Sequence, residues 1–247
     1  MRWIAKPDRP PESIRIFLER NLPVGVNLDY RNAPLDKGKL LKELVADQGG
    51  LCAYTGVAID ERLRRRQSAV TGDGLVYYAH NEHLKPQSLC RQELLARGLE
   101  PGRVLGDDMD HRNIVAALGV RGSQECIREL FGATARKPNA TLPVLPTEPE
   151  CGSRFRYLAN GEIEGLDEQA GKTIDELDLN HPTLVAWRSE AWGVFEAHHA
   201  ALLAEDEGHL LARILEPDAQ GSLLEFAFVL EDVWRQLGGE AGSEEAR

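Results

Sequence analysis

The stretch 76–88 places an acid–imidazole pair, Glu82-His83, between a predicted strand and a predicted helix. Residues 76–80 are aromatic and β-branched types typical of a strand, and residues 87–97 predict a helix that ends at a glycine. Neighbouring side chains of a strand point to opposite faces, so one can hold a metal ion while the other faces the substrate. A neutral imidazole takes a proton from water, and a carboxylate suits Mg²⁺. Metal-assisted phosphodiester hydrolysis needs both, although such a pair also occurs without any function.

Asn113 lies thirty residues further on, before an apolar run over residues 114–118. We expect this run to start a short helix, with Asn113 at its beginning. An asparagine at such a junction commonly caps or bridges backbone groups, so Asn113 is a candidate for holding a catalytic loop in shape. The alternative is that it only caps the helix.

The net charge of −11 argues against a nucleic-acid enzyme, but the charge is unevenly distributed. Residues 1–150 carry 22 Lys and Arg against 20 Asp and Glu, whereas residues 151–247 carry 7 against 20. A basic run, which is either a solvated surface or a phosphate contact, includes Arg62, Arg64, Arg65 and Arg66. The whole-chain charge therefore does not exclude nucleic acid.

The four cysteines contain no C-x-x-C pair, and no window approaches 18 apolar residues. A structural zinc site usually draws its ligands from close-spaced pairs, so this pattern does not predict one. The beginning of the chain lacks the apolar region of a secretory signal. We expect a cytoplasmic protein with reduced thiols and no membrane span.

The predicted fold class is α+β, in a mainly helical protein. The predicted organisation is an N-terminal helical segment (1–50), an irregular α+β region (51–135), an extended connection with a hairpin (136–166), an acidic helical region (167–238) and a disordered tail (239–247). An Asn-Gly dipeptide marks the turn of the hairpin.

These residues resemble the HNH endonuclease motif of the ββα-metal fold, in Glu82-His83 followed by Pro86 and Ser88, and then Asn113-Ile114-Val115. Flanking segments are similar to the PtuB-like branch of that superfamily, whose opening reads QGGLCAYC. The matching segments are residues 48–54, Met1-Arg2-x-Ile4-x-Lys6, residues 145–157 with Gly161-Glu162-Ile163, and Thr173-Ile174-x-x-Leu177-x-Leu179-Asn180 with Leu184 and Arg188. The likeness covers about residues 1–195. It implies a ββα-metal (HNH) core, which forms the nuclease-like region over residues 51–135 and is embedded in a mainly α-helical protein.

The resemblance implies a role for each matched residue. His83 is the general base, Glu82 binds Mg²⁺ or Mn²⁺, and Asn113 orders the loop. Members of this branch occur in Septu-type and retron-type anti-phage systems beside a PtuA-like ATPase. The implied partners are therefore DNA, that ATPase subunit and, in retron systems, an RNA/DNA complex. Candidate phosphate-binding residues are Arg65, Arg66, Lys85, Arg112 and Arg121.

The departures from the family pattern concern its metal sites. Thr55 stands where the opening has its second cysteine, and residues 118–121 lack the later cysteine pair, so a structural zinc ion is not expected. The third catalytic motif residue falls near Ser123 and Gln124, which are weak neutral ligands. Asp108, Asp110 and His111 are the alternatives that could take its place in space. Two functions remain open: a metal-dependent endonuclease, or a catalytically degenerate HNH fold that serves as a partner-binding subunit of the ATPase complex.

Overall fold

Two long strands, β1 (Val76–His83) and β2 (Ile114–Arg121), form an antiparallel pair in which His83 lies opposite Ile114. The structure is a computed structural model that describes residues 1–63, 75–121, 130–199 and 214–244. Within those ranges the chain is α+β, with this sheet and one smaller two-stranded sheet. The antiparallel register brings the end of β1 beside the beginning of β2, which is where the candidate site lies.

Strand β2 replaces the short helix expected over residues 114–118, so that prediction is wrong. Every residue from Ile114 to Val120 is buried or nearly so, and only Arg121 is exposed. A strand covered on both faces has no polar alternation, and its apolar run cannot be told from a buried helix by periodicity. Asn113 therefore begins a strand, not a helix.

The segment after helix α2 (Lys37–Asp47) covers the outer edge of β2. The Gln48 side chain accepts from the Ala116 N–H at 2.7 Å and donates to the Ala116 carbonyl at 2.8 Å, as a neighbouring strand would. Gly49 and Gly50 have φ values of 63° and 76°, and the left-handed conformation turns the chain there. A bridge between Leu51 and Ala58 closes the loop that follows.

The other helices in the described residues surround this sheet. They are α1 (Glu12–Asn21), α3 (Gln87–Ala96), α4 (Glu168–Glu176), α5 (Pro182–His199) and α6 (Ala227–Glu244). The expected hairpin is present as β3 (Phe155–Tyr157) and β4 (Ile163–Gly165). Helix α6 continues to Glu244, so the disordered tail predicted for 239–247 is not seen over 239–244, and 245–247 lie outside the described residues.

Buried apolar side chains from all parts of the described chain join in one hydrophobic cluster. It runs from Ile4 and Ile14 through β2 to Leu230 and Val233. The predicted segment boundaries therefore do not separate independent cores. In the ranges that the structure covers, none of the helices combines the length and apolar character needed to cross a bilayer.

Candidate active site

His83 is the last residue of β1 and is only 6% exposed. Its Nε2 atom lies 2.9 Å from the backbone carbonyl oxygen of Asp108, and the Tyr30 ring meets the imidazole edge-on at a centroid distance of 4.5 Å. The Asp108 carboxylate points elsewhere and accepts from the Tyr30 N–H at 2.7 Å. One polar contact and one ring contact therefore fix the orientation of the imidazole.

The contact with Asp108 also determines the tautomer of His83. A carbonyl oxygen only accepts, so Nε2 carries the hydrogen and Nδ1 keeps its lone pair. Burial lowers the pKa of His83 below its ordinary value of 6.5, outweighing the carbonyl contact and the nearby carboxylates, which raise it. The imidazole is therefore neutral at neutral pH, with Nδ1 able to accept a proton.

Asn113 joins the chain segments on both sides of this histidine. Its Oδ1 accepts from the Lys85 N–H at 2.7 Å, and its Nδ2 donates to the carbonyls of Lys85 at 3.2 Å and Asp107 at 3.0 Å. Its own carbonyl accepts from the Leu84 N–H at 2.9 Å. Asn113 thus holds the turn after β1 against the segment that carries Asp108.

Glu82 binds a buried arginine, Arg136. Glu82 Oε1 accepts from Arg136 Nη1 at 2.8 Å, and Glu82 Oε2 lies 3.4 Å from His80 Nε2 on the same face of β1. The Arg136 side chain is 4% exposed and also donates to the carbonyls of His83 at 2.8 Å, Leu84 at 2.5 Å and Ala140 at 2.6 Å. Arg136 therefore clamps the end of β1 to the 136–140 loop and neutralises much of the charge of Glu82.

A cleft of about 420 Å³ opens beside the acid–imidazole pair. Its floor includes Asn81, Glu82 and His83, and its walls are Gln87 and Ser88 from the start of α3 and residues 136–139. The Gln87 Nε2 atom lies 3.3 Å from His83 Nδ1, and Ser88 Oγ donates to Asn139 Oδ1 at 2.6 Å. The cleft therefore gives His83 Nδ1 a polar, accessible surrounding.

The described residues provide limited ligands for a metal ion. They contain no group of three or more His, Cys, Asp or Glu side chains arranged to hold one. Glu82 Oε2 is the carboxylate oxygen left by Arg136, and Mg²⁺ is commonly held by one or two carboxylates with water and substrate phosphates. Ser123 and Gln124, the expected further ligands, lie outside the described residues.

The candidate phosphate-binding residues are mostly engaged with acids or outside the described ranges. Lys85 Nζ binds Glu93 and lies 2.8 Å from Asp107 Oδ2, and Arg112 Nε lies 3.2 Å from Asp110 Oδ1. The Arg121 guanidinium stacks over the Tyr78 ring at 5.4 Å. Arg64, Arg65 and Arg66 lie outside the described residues. Of the candidates that the structure describes, Lys85, Arg112 and Arg121 do not line the cleft.

Cys52 and Thr55 occupy the loop in which the resembling family has its first cysteine pair. Both are buried, and the Cys52 sulfur accepts from the Leu118 N–H of β2 at 3.2 Å. The Leu118 side chain itself is buried. Contacts among small and apolar groups thus join this loop to β2.

The sequence analysis assigned no role to three side chains of the site: Tyr30, Gln87 and Arg136. Arg136 reaches Glu82 across 54 positions and His83 across 53. Asp108 acts on His83 through its backbone, which no residue pattern encodes. Gln87 alone among the three lies near His83 in the sequence, four residues further on at the start of the predicted helix.

The comparisons with known proteins do not identify a relative. No family model matches the chain, and no curated protein matches it. The likeness to the HNH motif therefore depends on the residues quoted above and on their geometry.

Proposed function

We propose that this protein is a metal-dependent HNH-like endonuclease of the PtuB-like type, hydrolysing phosphodiester bonds of DNA. The observation that carries the proposal is the His83 imidazole, whose Nε2 is bound to the Asp108 carbonyl at 2.9 Å while Nδ1 faces a cleft. This is the state that a general base needs: neutral, oriented and accessible to water.

Two further features support a ββα-metal core. The pair β1–β2 places the acid–imidazole pair at one strand end and Asn113 immediately before the facing strand. Asn113 braces the turn after His83 through three side-chain hydrogen bonds, the role that the resemblance implies. The segment in which the third motif residue is expected, residues 122–125, lies outside the described ranges.

In the proposed reaction, His83 Nδ1 takes a proton from a water molecule that attacks the phosphorus. Asp108 holds the imidazole in the required tautomer, and Asn113 keeps the loop in place. Glu82, through Oε2, would hold Mg²⁺ or Mn²⁺, whose chemistry when bound is neutralisation of negative charge on the cleaved phosphate.

The second candidate function is that of a catalytically degenerate HNH fold acting as a partner-binding subunit. The observation in its favour is that Glu82 binds Arg136 at 2.8 Å, which competes with a metal ion for the same carboxylate. The ion pairs of Lys85 and Arg112 with neighbouring carboxylates also engage two of the candidate phosphate-binding residues. In both cases, we propose that a PtuA-like ATPase in an anti-phage system supplies much of the affinity for nucleic acid.

The two functions are separated by a nicking assay on the complex. The protein is purified with the product of a neighbouring ATPase gene and incubated with supercoiled plasmid, with Mg²⁺ or Mn²⁺, and with and without ATP. Nicking that chelation abolishes supports the endonuclease. A complex that assembles but nicks no plasmid under any of these conditions supports the binding subunit.

A further inference from the structure

The Gln87 side chain lines the cleft and contacts the His83 imidazole. Its Nε2 atom lies 3.3 Å from His83 Nδ1, at the long end of the hydrogen-bond range. A contact of this length is weak, so a water molecule that approaches Nδ1 can displace it. The position that the amide occupies is the position from which such a water must donate its proton.

The backbone under Gln87 is fixed, whereas its side chain is exposed. Gln87 begins α3 directly after the buried Pro86, and the Pro86 carbonyl accepts from the Leu89 and Cys90 N–H groups at 3.0 and 3.1 Å. Rotation of the side chain therefore moves the amide about a stationary anchor. The amide can present either an acceptor oxygen or a donor nitrogen to the same place.

A water molecule that attacks phosphorus has two protons, and only one is transferred to the base. The second must be held by an acceptor if the oxygen lone pair is to face the phosphorus. A glutamine amide can position an attacking water in this way in other phosphoryl-transfer enzymes. Gln87 is the amide within reach of His83 Nδ1 in the described residues.

We propose that Gln87 is the water-positioning residue of this site: its Oε1 accepts a hydrogen bond from the second O–H of the attacking water, whose hydrogen stays on the water oxygen, while His83 Nδ1 takes the first proton. The water oxygen forms the new bond to phosphorus, and the bond from phosphorus to the leaving sugar oxygen breaks. The electron pair stays on that oxygen, which gains a proton from solvent, and His83 returns its proton to solvent. The inference rests on the proposed endonuclease function.

The test compares kcat and KM for plasmid or oligonucleotide cleavage by complexes containing wild type, Gln87→Leu, Gln87→Glu or Gln92→Leu. Leucine removes the acceptor at nearly constant shape, and glutamate restores it. Gln92, exposed on the same helix and away from the cleft, is the matched control. We expect Gln87→Leu to lower kcat by about 10- to 100-fold with KM within about twofold, because only orientation of the water is lost.

The restoring variant and the control complete the expected pattern. Gln87→Glu keeps kcat within about fivefold of wild type, assayed above the pH range in which histidine protonates, and Gln92→Leu matches wild type. If Gln87→Leu cleaves like wild type, or differs from it only in KM, the role of Gln87 is overturned but the proposed endonuclease function is not. If cleavage by wild type does not depend on His83, the endonuclease function and the role of Gln87 are both overturned.

Discussion

His83 and Asp108 are joined through the Asp108 backbone and not through its carboxylate: imidazole Nε2 lies 2.9 Å from the carbonyl oxygen. The carboxylate instead accepts from the Tyr30 N–H at 2.7 Å. The histidine thus gains a fixed tautomer without a direct carboxylate partner that would strongly favour its charged form. The His83 imidazole therefore stays neutral near pH 7, as a general base must.

The lowered pKa of His83 predicts a loss of stability in acid. Above pH 6.5 the imidazole is neutral in both the folded and unfolded chains, and its contribution is fully present. As the pH falls below 6.5 toward the folded-state pKa, the unfolded chain binds a proton that the folded chain binds more weakly, so the free energy of unfolding falls. Urea unfolding at several pH values measures this for wild type and His83→Gln. The same slope in both proteins below pH 6.5 would contradict the burial argument.

Arg136→Met is expected to lower the free energy of unfolding by about 3–5 kcal/mol, since it leaves Glu82 and three carbonyls without their buried partner. The control is Lys137→Met at the adjacent position, whose side chain is 82% exposed and lies 3.7 Å from Glu176. An exposed pair of this kind contributes about 0.5 kcal/mol. Chemical denaturation compares the two. Equal losses of stability in the two variants would contradict the role of Arg136 in joining the end of β1 to the 136–140 loop.

Asn113→Ala is expected to lower the free energy of unfolding by about 2 kcal/mol or more, because three backbone groups lose their hydrogen-bond partner. Asn139→Ala removes an exposed amide that binds Ser88, so a change below about 0.5 kcal/mol is expected. Hydrogen exchange of the Lys85 amide, which donates to Asn113, should rise in the first variant alone. Unchanged protection at Lys85 would show that Asn113 does not brace the turn.

Alanine substitutions at Gly161 and Gly25 distinguish the cost of backbone strain from the cost of a steric clash. Both have positive φ, 89° and 67°, but a Cβ atom on Gly161 would lie 2.1 Å from the Val185 carbonyl oxygen of α5, whereas nothing lies within 4 Å at Gly25. Gly25→Ala is expected to lower stability by about 1 kcal/mol, and Gly161→Ala by about 3 kcal/mol or more. Thermal unfolding measures both. Similar losses in the two variants would mean that the hairpin does not pack closely on α5.

The sequence predicted local structure where one residue type has one strong physical preference. Asn160-Gly161 forms the expected turn of the hairpin, and the helix expected over residues 87–97 is present as α3 and ends just before Gly98. Each preference acts within a few residues. Such signals can therefore be read without knowing the fold.

Long-range features could not be predicted in the same way. The run Ile114–Val120 forms a doubly buried strand because α2 and the loop after it cover one side, a fact absent from its own composition. The partnership of Arg136 with Glu82 depends on two segments meeting in space. Sequence reasoning located the acid–imidazole pair but not the groups that orient and neutralise it.

The central claim is that His83 is the general base of an endonuclease, and single-turnover nicking by complexes with wild type, His83→Ala and His198→Ala tests it most directly. His198 lies on α5 and its Nδ1 contacts the Val194 carbonyl at 2.8 Å, so its variant controls for loss of a histidine elsewhere. We predict that His83→Ala lowers the rate by about 100-fold or more, with partner binding intact, and that His198→Ala matches wild type. Nicking by His83→Ala at the wild-type rate would contradict the account.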